Sequence, residues 1–379
     1  MVDLALSSMA LAVYSKAHRN HMAAKEASSR YHCLLQIVQE HIVQVETSNL
    51  SEEDTDAYLM AIYLMSRYEN TTTRLSDFSV RNSFQSLATW SHHNGAMAVL
   101  KVWYDKPSRG TATVIIKYTR RGLIRSCLLR KLLIPDWMLD GEDFGEIDWE
   151  LEHDRIIVSL VNLRRTLAGL EQRESLFCME TRPLLQHLDQ LDKALQAWMT
   201  KCANQYTYQQ HILSDPGPLP QQHLYSCRMF TYSRIGDAAT WGTYFAERML
   251  IDDTKLKVLA TAHIKSSKQT QYGKQRLASG ANIDHMASNL ASTLPFCLER
   301  ITHIKPGPLS KQSSITLRLE VDVKPYAASL MVWPLSIASS LGTMQDHPWI
   351  WFKAELAELG RILGDGVLQD AQTNQWTRL

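Results

Sequence analysis

The chain has 379 residues, 45% of them hydrophobic and 21% charged, with 40 basic side chains against 39 acidic ones. That apolar content belongs to globular proteins and excludes the disordered and collagen-like classes. The near-balance of charge supplies no overall field that would steer the chain onto a phosphate backbone, and no apolar run reaches the roughly 18–20 residues of a membrane span.

Single cores stop growing near roughly 250–300 residues. The expectation is therefore one large helical domain over 1–379, or two lobes, 1–214 and 221–379, meeting at the proline-rich turn 215–220 (DPGPLP). The opening MVDLALSSMALAVYSKAHRNH has no basic leader, and Ser, Lys, His and Arg soon break its apolar residues. It reads as the start of a helix over 3–45 and not as an export signal. The six cysteines, Cys33, Cys127, Cys178, Cys202, Cys227 and Cys297, are scattered with no C-x-x-C pair. They read as buried reduced thiols in a nuclear or cytoplasmic protein.

Ser51 with Asp54 three residues on predicts a capping-box start, with Glu52 and Glu53 favouring the helix dipole. That helix continues through Tyr58, Leu59, Ile62, Tyr63 and Met65. Further helices are expected over 77–104 and 146–172. Residues 111–118 (TATVIIKY) are rich in β-branched side chains, but helix is the preferred reading. In RPLLQHLDQLDKALQAWM, Leu184, Leu188, Leu191, Leu195 and Trp198 form one stripe, opposite Gln, Asp and Lys. That predicts an amphipathic helix with one buried side, and Pro183 in its first turn. Helices over 229–262, 280–302 and 346–366 complete the set. The turn 305–309 (KPGPL) stops helix growth. Residues 314–323 (SITLRLEVDV) alternate in polarity, but here too helix is preferred over strand. The expected fold class is all-α, a helical array or bundle.

Motifs that carry chemistry are missing from the sequence: no phosphate-binding P-loop, dinucleotide fingerprint, HExxH or GxSxG occurs. Asp252-Asp253 lacks the third carboxylate of a magnesium–diphosphate site and reads as a helix start. Adjacent His92 and His93 point about 100° apart on a helix and cannot share a metal comfortably, so one is expected to pack and one to be solvated. Arg120, Arg121, Arg125, Arg130 and Lys131 interleave with leucines and read as the solvated basic face of an amphipathic helix. No cofactor and no metal are expected.

Several segments in order resemble the regulatory (middle homology) region of fungal zinc-cluster transcription factors. Residues 9–18 (MALAVYSKAH) resemble its early alanine-rich helix, and 58–69 (YLMAIYLMSRYE) its apolar helix ending in Tyr-Glu. Residues 90–100 (WSHHNGAMAVL) and 125–137 (RSCLLRKLLIPDW) resemble the segments that follow. Residues 232–250 (YSRIGDAATWGTYFAERML) are similar to its Ala–Trp–aromatic–Arg segment. Residues 325–341, with Trp333-Pro334-Leu335, resemble the Trp-Pro-Leu block, continued by Pro348-Trp349-Ile350, Leu359 and Gly364. The family's DNA reader is a cluster of six closely spaced cysteines on two zinc ions, and these scattered cysteines do not form one.

The resemblance implies a transcription-factor-like regulatory protein without its own DNA-binding head, set in a fungal secondary-metabolite pathway. It would act through a small-molecule cavity or a partner protein, or as a homodimer, with no direct DNA contact and no membrane. The alternative is a cofactor-independent cyclase of the Diels–Alderase type on the same scaffold, which would need orientation and a hydrogen-bond donor or two. Where the resemblance is densest, Trp90, His93, Tyr232, Trp241, Tyr244, Arg248 and Trp333 combine aromatic walls with polar tips and are the pocket candidates. A buried Arg248 requires a carboxylate partner that the sequence does not name.

Overall fold

The computed structural model describes residues 1–45, 51–72, 87–171, 177–203, 206–213, 224–263, 269–304, 314–318, 322–373 and 376. Among these the fold is predominantly all-α, with two small two-stranded antiparallel sheets. Two compact units emerge: Met1–Arg165 with Gly364–Asp370, and Thr166–Leu363 with Ala371–Leu379. The turns expected at 215–220 and 305–309 lie outside the described residues.

In the first unit, the helix expected over 3–45 is broken into α1 (Val2–His18) and α2 (His21–Val45). Arg19 adopts φ 50°, in the left-handed region, and ends α1. Asn20 Oδ1 then accepts from the Ala23 amide and starts α2. Helix α3 (Glu52–Thr72) begins as the sequence predicts. Ser51 Oγ accepts from the Asp54 amide at 3.0 Å, and Asp54 Oδ2 accepts from the Ser51 amide at 3.2 Å. Small residues Ala5, Ala12, Ala27 and Ala61 let α1, α2 and α3 approach closely around Leu34, Leu64 and Met65. The short α12 (Gly366–Gln369) closes on α3 through an Asp365–Arg67 ion pair.

Helix α4 (Leu87–Tyr104) leads to α5 (Val114–Arg130), so residues 114–118 of the β-branched 111–118 stretch are helical, after a non-helical start that ends in the cap Thr113, whose side chain accepts from the Ile116 amide. The basic face of α5 departs from expectation. Arg120 is wholly buried, because Asp154 on α6 (Asp148–Glu171) takes its guanidinium in two hydrogen bonds. Arg121 is half-buried against Glu146 and Glu150, while Arg125 and Lys131 are exposed.

In the second unit, α7 (Phe177–Ala203) buries the predicted stripe of Leu184, Leu188, Leu191, Leu195 and Trp198. It begins upstream of the expected start, so Pro183 sits inside the helix and not in its first turn. The 229–262 stretch is not all helix. Its first residues form β2 (Arg228–Tyr232), paired antiparallel with β1 (Tyr208–Ile212), and α8 (Ile235–His263) follows. Helix α9 (Gln269–Cys297) ends before β3 (Ile301–Ile304), which pairs with β4 (Ser314–Leu317). Within the alternating 314–323 stretch, Ser314–Leu317 thus form a strand where helix was expected, and residues 319–321 lie outside the described residues: period-two side chains gain a partner strand that the helix reading did not supply.

Helix α10 (Pro325–Ala338) crosses α8 at Gly242, where an added Cβ would lie 2.9 Å from Met331 Cε. Helix α11 (Asp346–Leu363) packs on α10. Cys127, Cys202 and Cys297 are buried free thiols as expected, whereas Cys33 is exposed and Cys227 half-buried; burial pushes the Cys127 thiol up to about 11. No described helix is long and apolar enough to cross a membrane.

Candidate functional site

The seven pocket candidates divide between the units. Trp90 and His93 lie on α4 in the first; the Trp90 side chain is outside the described residues. Tyr232 on β2, Trp241, Tyr244 and Arg248 on α8, and Trp333 on α10 lie in the second.

His93 is 8% exposed, and His92 is not solvated as expected, since its Nε2 lies 2.9 Å from Glu69. Each histidine of α4 thus has a packed setting. Burial first, then the positive charge of Arg130, hold the His93 imidazole down to about 4 from 6.5. It folds neutral, while the unfolded chain protonates it below its ordinary value. Its contribution to stability is therefore complete above pH 6.5 and is lost as pH falls from there toward about 4, by at most about 3 kcal/mol. Replacing His93 with Gln should flatten the fall in urea-unfolding free energy between about pH 7 and about pH 4.5. Parallel curves for the two proteins would refute this.

Four candidates do come together. The β1–β2 register sets Tyr208 opposite Tyr232. The Tyr208 ring packs 4.5 Å from Phe230 and edge-on to Trp241 at 4.9 Å. Trp241 meets Tyr244 edge-on at 5.6 Å and donates its Nε1–H to the Tyr206 carbonyl at 2.6 Å. Tyr232 is buried, its hydroxyl 2.8 Å from Thr293 Oγ1, and burial raises its pKa well above 10. These rings fill one another's space and form a layer. Trp333 is half-buried on α10.

Arg248 joins this layer to a concave surface. Its guanidinium lies 5.8 Å from the Tyr244 ring, and the carboxylate partner that its burial demands is Asp192 on α7. Nε donates to Oδ1 at 2.8 Å and Nη2 to Oδ2 at 3.3 Å, the fork geometry of a bidentate pair.

Asp192 also lines a cleft of about 380 Å³ between α7, α8 and α9. Each helix offers one stripe spaced by about a turn: Leu185, Asp189 and Asp192 from α7; Asp252, Lys255 and Leu259 from α8; Gln275, Ala278, Ser279 and Asn282 from α9. Lys255 Nζ lies 2.9 Å from Asp189 Oδ1 and 3.8 Å from Asp252 Oδ1. Asp252 accepts from the Asn282 amide and is only 3% exposed; burial raises its pKa, against the pull of Lys255 and Asn282. Gln275 Oε1 is buried with no hydrogen-bond partner.

The cleft corrects one expectation. Asp252-Asp253 sits in the middle of α8, not at a helix start, and the two side chains diverge. Asp252 faces the cleft, whereas Asp253 is wholly buried, accepts from Thr343 and pairs with Lys257. Apart from Asp252, the cleft residues were not singled out in the sequence. One signal was present: carboxylates interrupting the apolar run YFAERMLIDD, where burial demands partners. Among the described residues, no group of three or more His, Cys, Asp or Glu is arranged to hold a metal ion. Comparison of the chain with protein-family models, with curated proteins and with solved structures returns no match.

Proposed function

We propose that this chain is a regulatory module, of the kind it resembles in fungal zinc-cluster factors, that takes a small molecule in the α7–α8–α9 cleft and acts through a protein partner. The observation that carries the reading is the cleft: a concave space of about 380 Å³ where carboxylates, an ammonium and amides converge over Leu185, Leu259 and Ala278. That volume falls within the range of small-molecule clefts, and seven of the ten lining residues are polar or charged.

The same residues offer a route from occupancy to shape. The Lys255–Asp189 and Arg248–Asp192 pairs tie the α7 wall to α8. A ligand competing for those carboxylates shifts the balance between α7 positions, by as much as its affinity differs between them. The cyclase alternative calls for apolar walls around a folded polyene; the charged lining favours reversible binding.

Deleting the gene is expected to change the transcripts of a defined gene set, and the protein should co-precipitate with a DNA-binding factor. Leu185→Trp, which fills the cleft, should reproduce the deletion while the purified variant stays folded by circular dichroism. Wild-type transcripts in cells carrying a folded Leu185→Trp protein would overturn the reading. So would a deletion strain with unchanged transcripts together with no factor partner.

A further inference from the structure

We infer that the α7–α8–α9 cleft selects a small organic cation, an amine or guanidine on a short aliphatic body, over neutral and anionic molecules of the same size. This rests on the cleft being the ligand site and names the chemistry it would recognise.

The charge count comes first. Asp189, Asp192 and Asp252 face the space against the single ammonium of Lys255. Arg248 neutralises Asp192 from behind without lining the cleft. The lining therefore keeps an excess of negative charge beside low-dielectric helix walls, where a counter-charge is attracted more strongly than in bulk water.

The hydrogen-bond inventory points the same way. Asn282 spends its amide donor on Asp252. Ser279 also donates to Asp252, and Lys255 spreads its ammonium between Asp189 at 2.9 Å and Asp252 at the long distance of 3.8 Å, so it compensates the Asp252 charge only weakly. Gln275 Oε1 is buried and has no donor. Ammonium and guanidinium groups carry several N–H donors and no acceptor, so they match this lining, whereas a carboxylate or phosphate would meet like charges. Leu185, Leu259 and Ala278 give the aliphatic body its contact.

The test uses three probes of matched skeleton and different charge, titrated into the full chain by isothermal calorimetry at low ionic strength: hexamethylenediamine, hexamethylene glycol and adipate. The diamine is expected to bind at least about tenfold more tightly than the other two, with an affinity that falls as salt rises. Asp252→Asn and, separately, the rim change Asp189→Asn should each weaken it by about tenfold, and Leu185→Trp should abolish it. Melting curves of each variant separate lost binding from lost folding. Equal or tighter binding of the glycol or adipate, blocked by Leu185→Trp, would sink the cation assignment and leave the cleft as the ligand site. Diamine binding unaffected by all three substitutions would place it elsewhere and overturn the inference. No heat from any probe would also overturn it, while the transcript experiment still decides the regulatory reading by itself.

Discussion

Asp154→Ala is expected to lower the unfolding free energy by about 3–5 kcal/mol, among the largest effects of any single substitution in the first unit. Arg120 is 0% exposed and Asp154 6%, and their two hydrogen bonds run at 2.6 and 2.9 Å. The remaining guanidinium contacts are the carbonyls of Met138 at 3.0 Å and Leu139 at 3.3 Å, with the Phe144 ring 5.0 Å away. Removing the carboxylate strands a full positive charge where water cannot reach it. The loss comes from that stranded charge more than from any large net gain in the intact pair. Arg120→Met combined with Asp154→Leu should therefore recover most of the stability that Asp154→Ala loses. Urea unfolding of the full chain, with hydrogen exchange followed in α5 and α6 peptides, measures both. A single-variant loss below about 1 kcal/mol, the size of an exposed pair, would contradict the burial argument.

The second large effect lies in the other unit. Glu355 on α11 is 1% exposed and accepts from Arg300 Nη1 at 2.8 Å, and Arg300 is itself 8% exposed. Arg300 occupies the step from the end of α9 into β3; its amide bonds the Pro295 carbonyl, and its carbonyl accepts from the Arg318 amide beyond β4. Glu355→Ala should cost about 3–5 kcal/mol, and Glu355→Gln, which keeps an acceptor, clearly less. Exchange in β3 peptides should accelerate in Glu355→Ala before the rest of the unit opens. If the Gln and Ala variants melt together, the buried charge of Arg300 is not what governs this contact.

How much of this was legible in the sequence depends on the range of the interaction that decides each feature. The capping box at Ser51 and the leucine stripe of α7 are written within a few residues, and both stand as read. The break at Arg19 and Asn20 was also local, but apolar periodicity on both sides hid a turn made by one left-handed residue. The 314–323 stretch shows the opposite limit. Its alternation was visible, yet a strand is stable only beside another, and Ile301–Ile304 is what it pairs with. Among the pocket candidates, aromatic side chains signalled burial correctly for Tyr232 and Tyr244, but burial against one another forms a wall and not a space.

By itself the sequence determined the predominantly helical class, the buried stripe of α7 and the need of Arg248 for a carboxylate, because spacing and desolvation are properties of single segments. The tertiary structure alone decided which carboxylate answers Arg248, that Arg120 is swallowed and not solvated, and that Asp189, Asp252 and Gln275 meet across three helices. Each of those outcomes joins residues tens of positions apart. Charge pairing and cavity shape depend on where separate helices cross, and no periodicity within one helix carries that information.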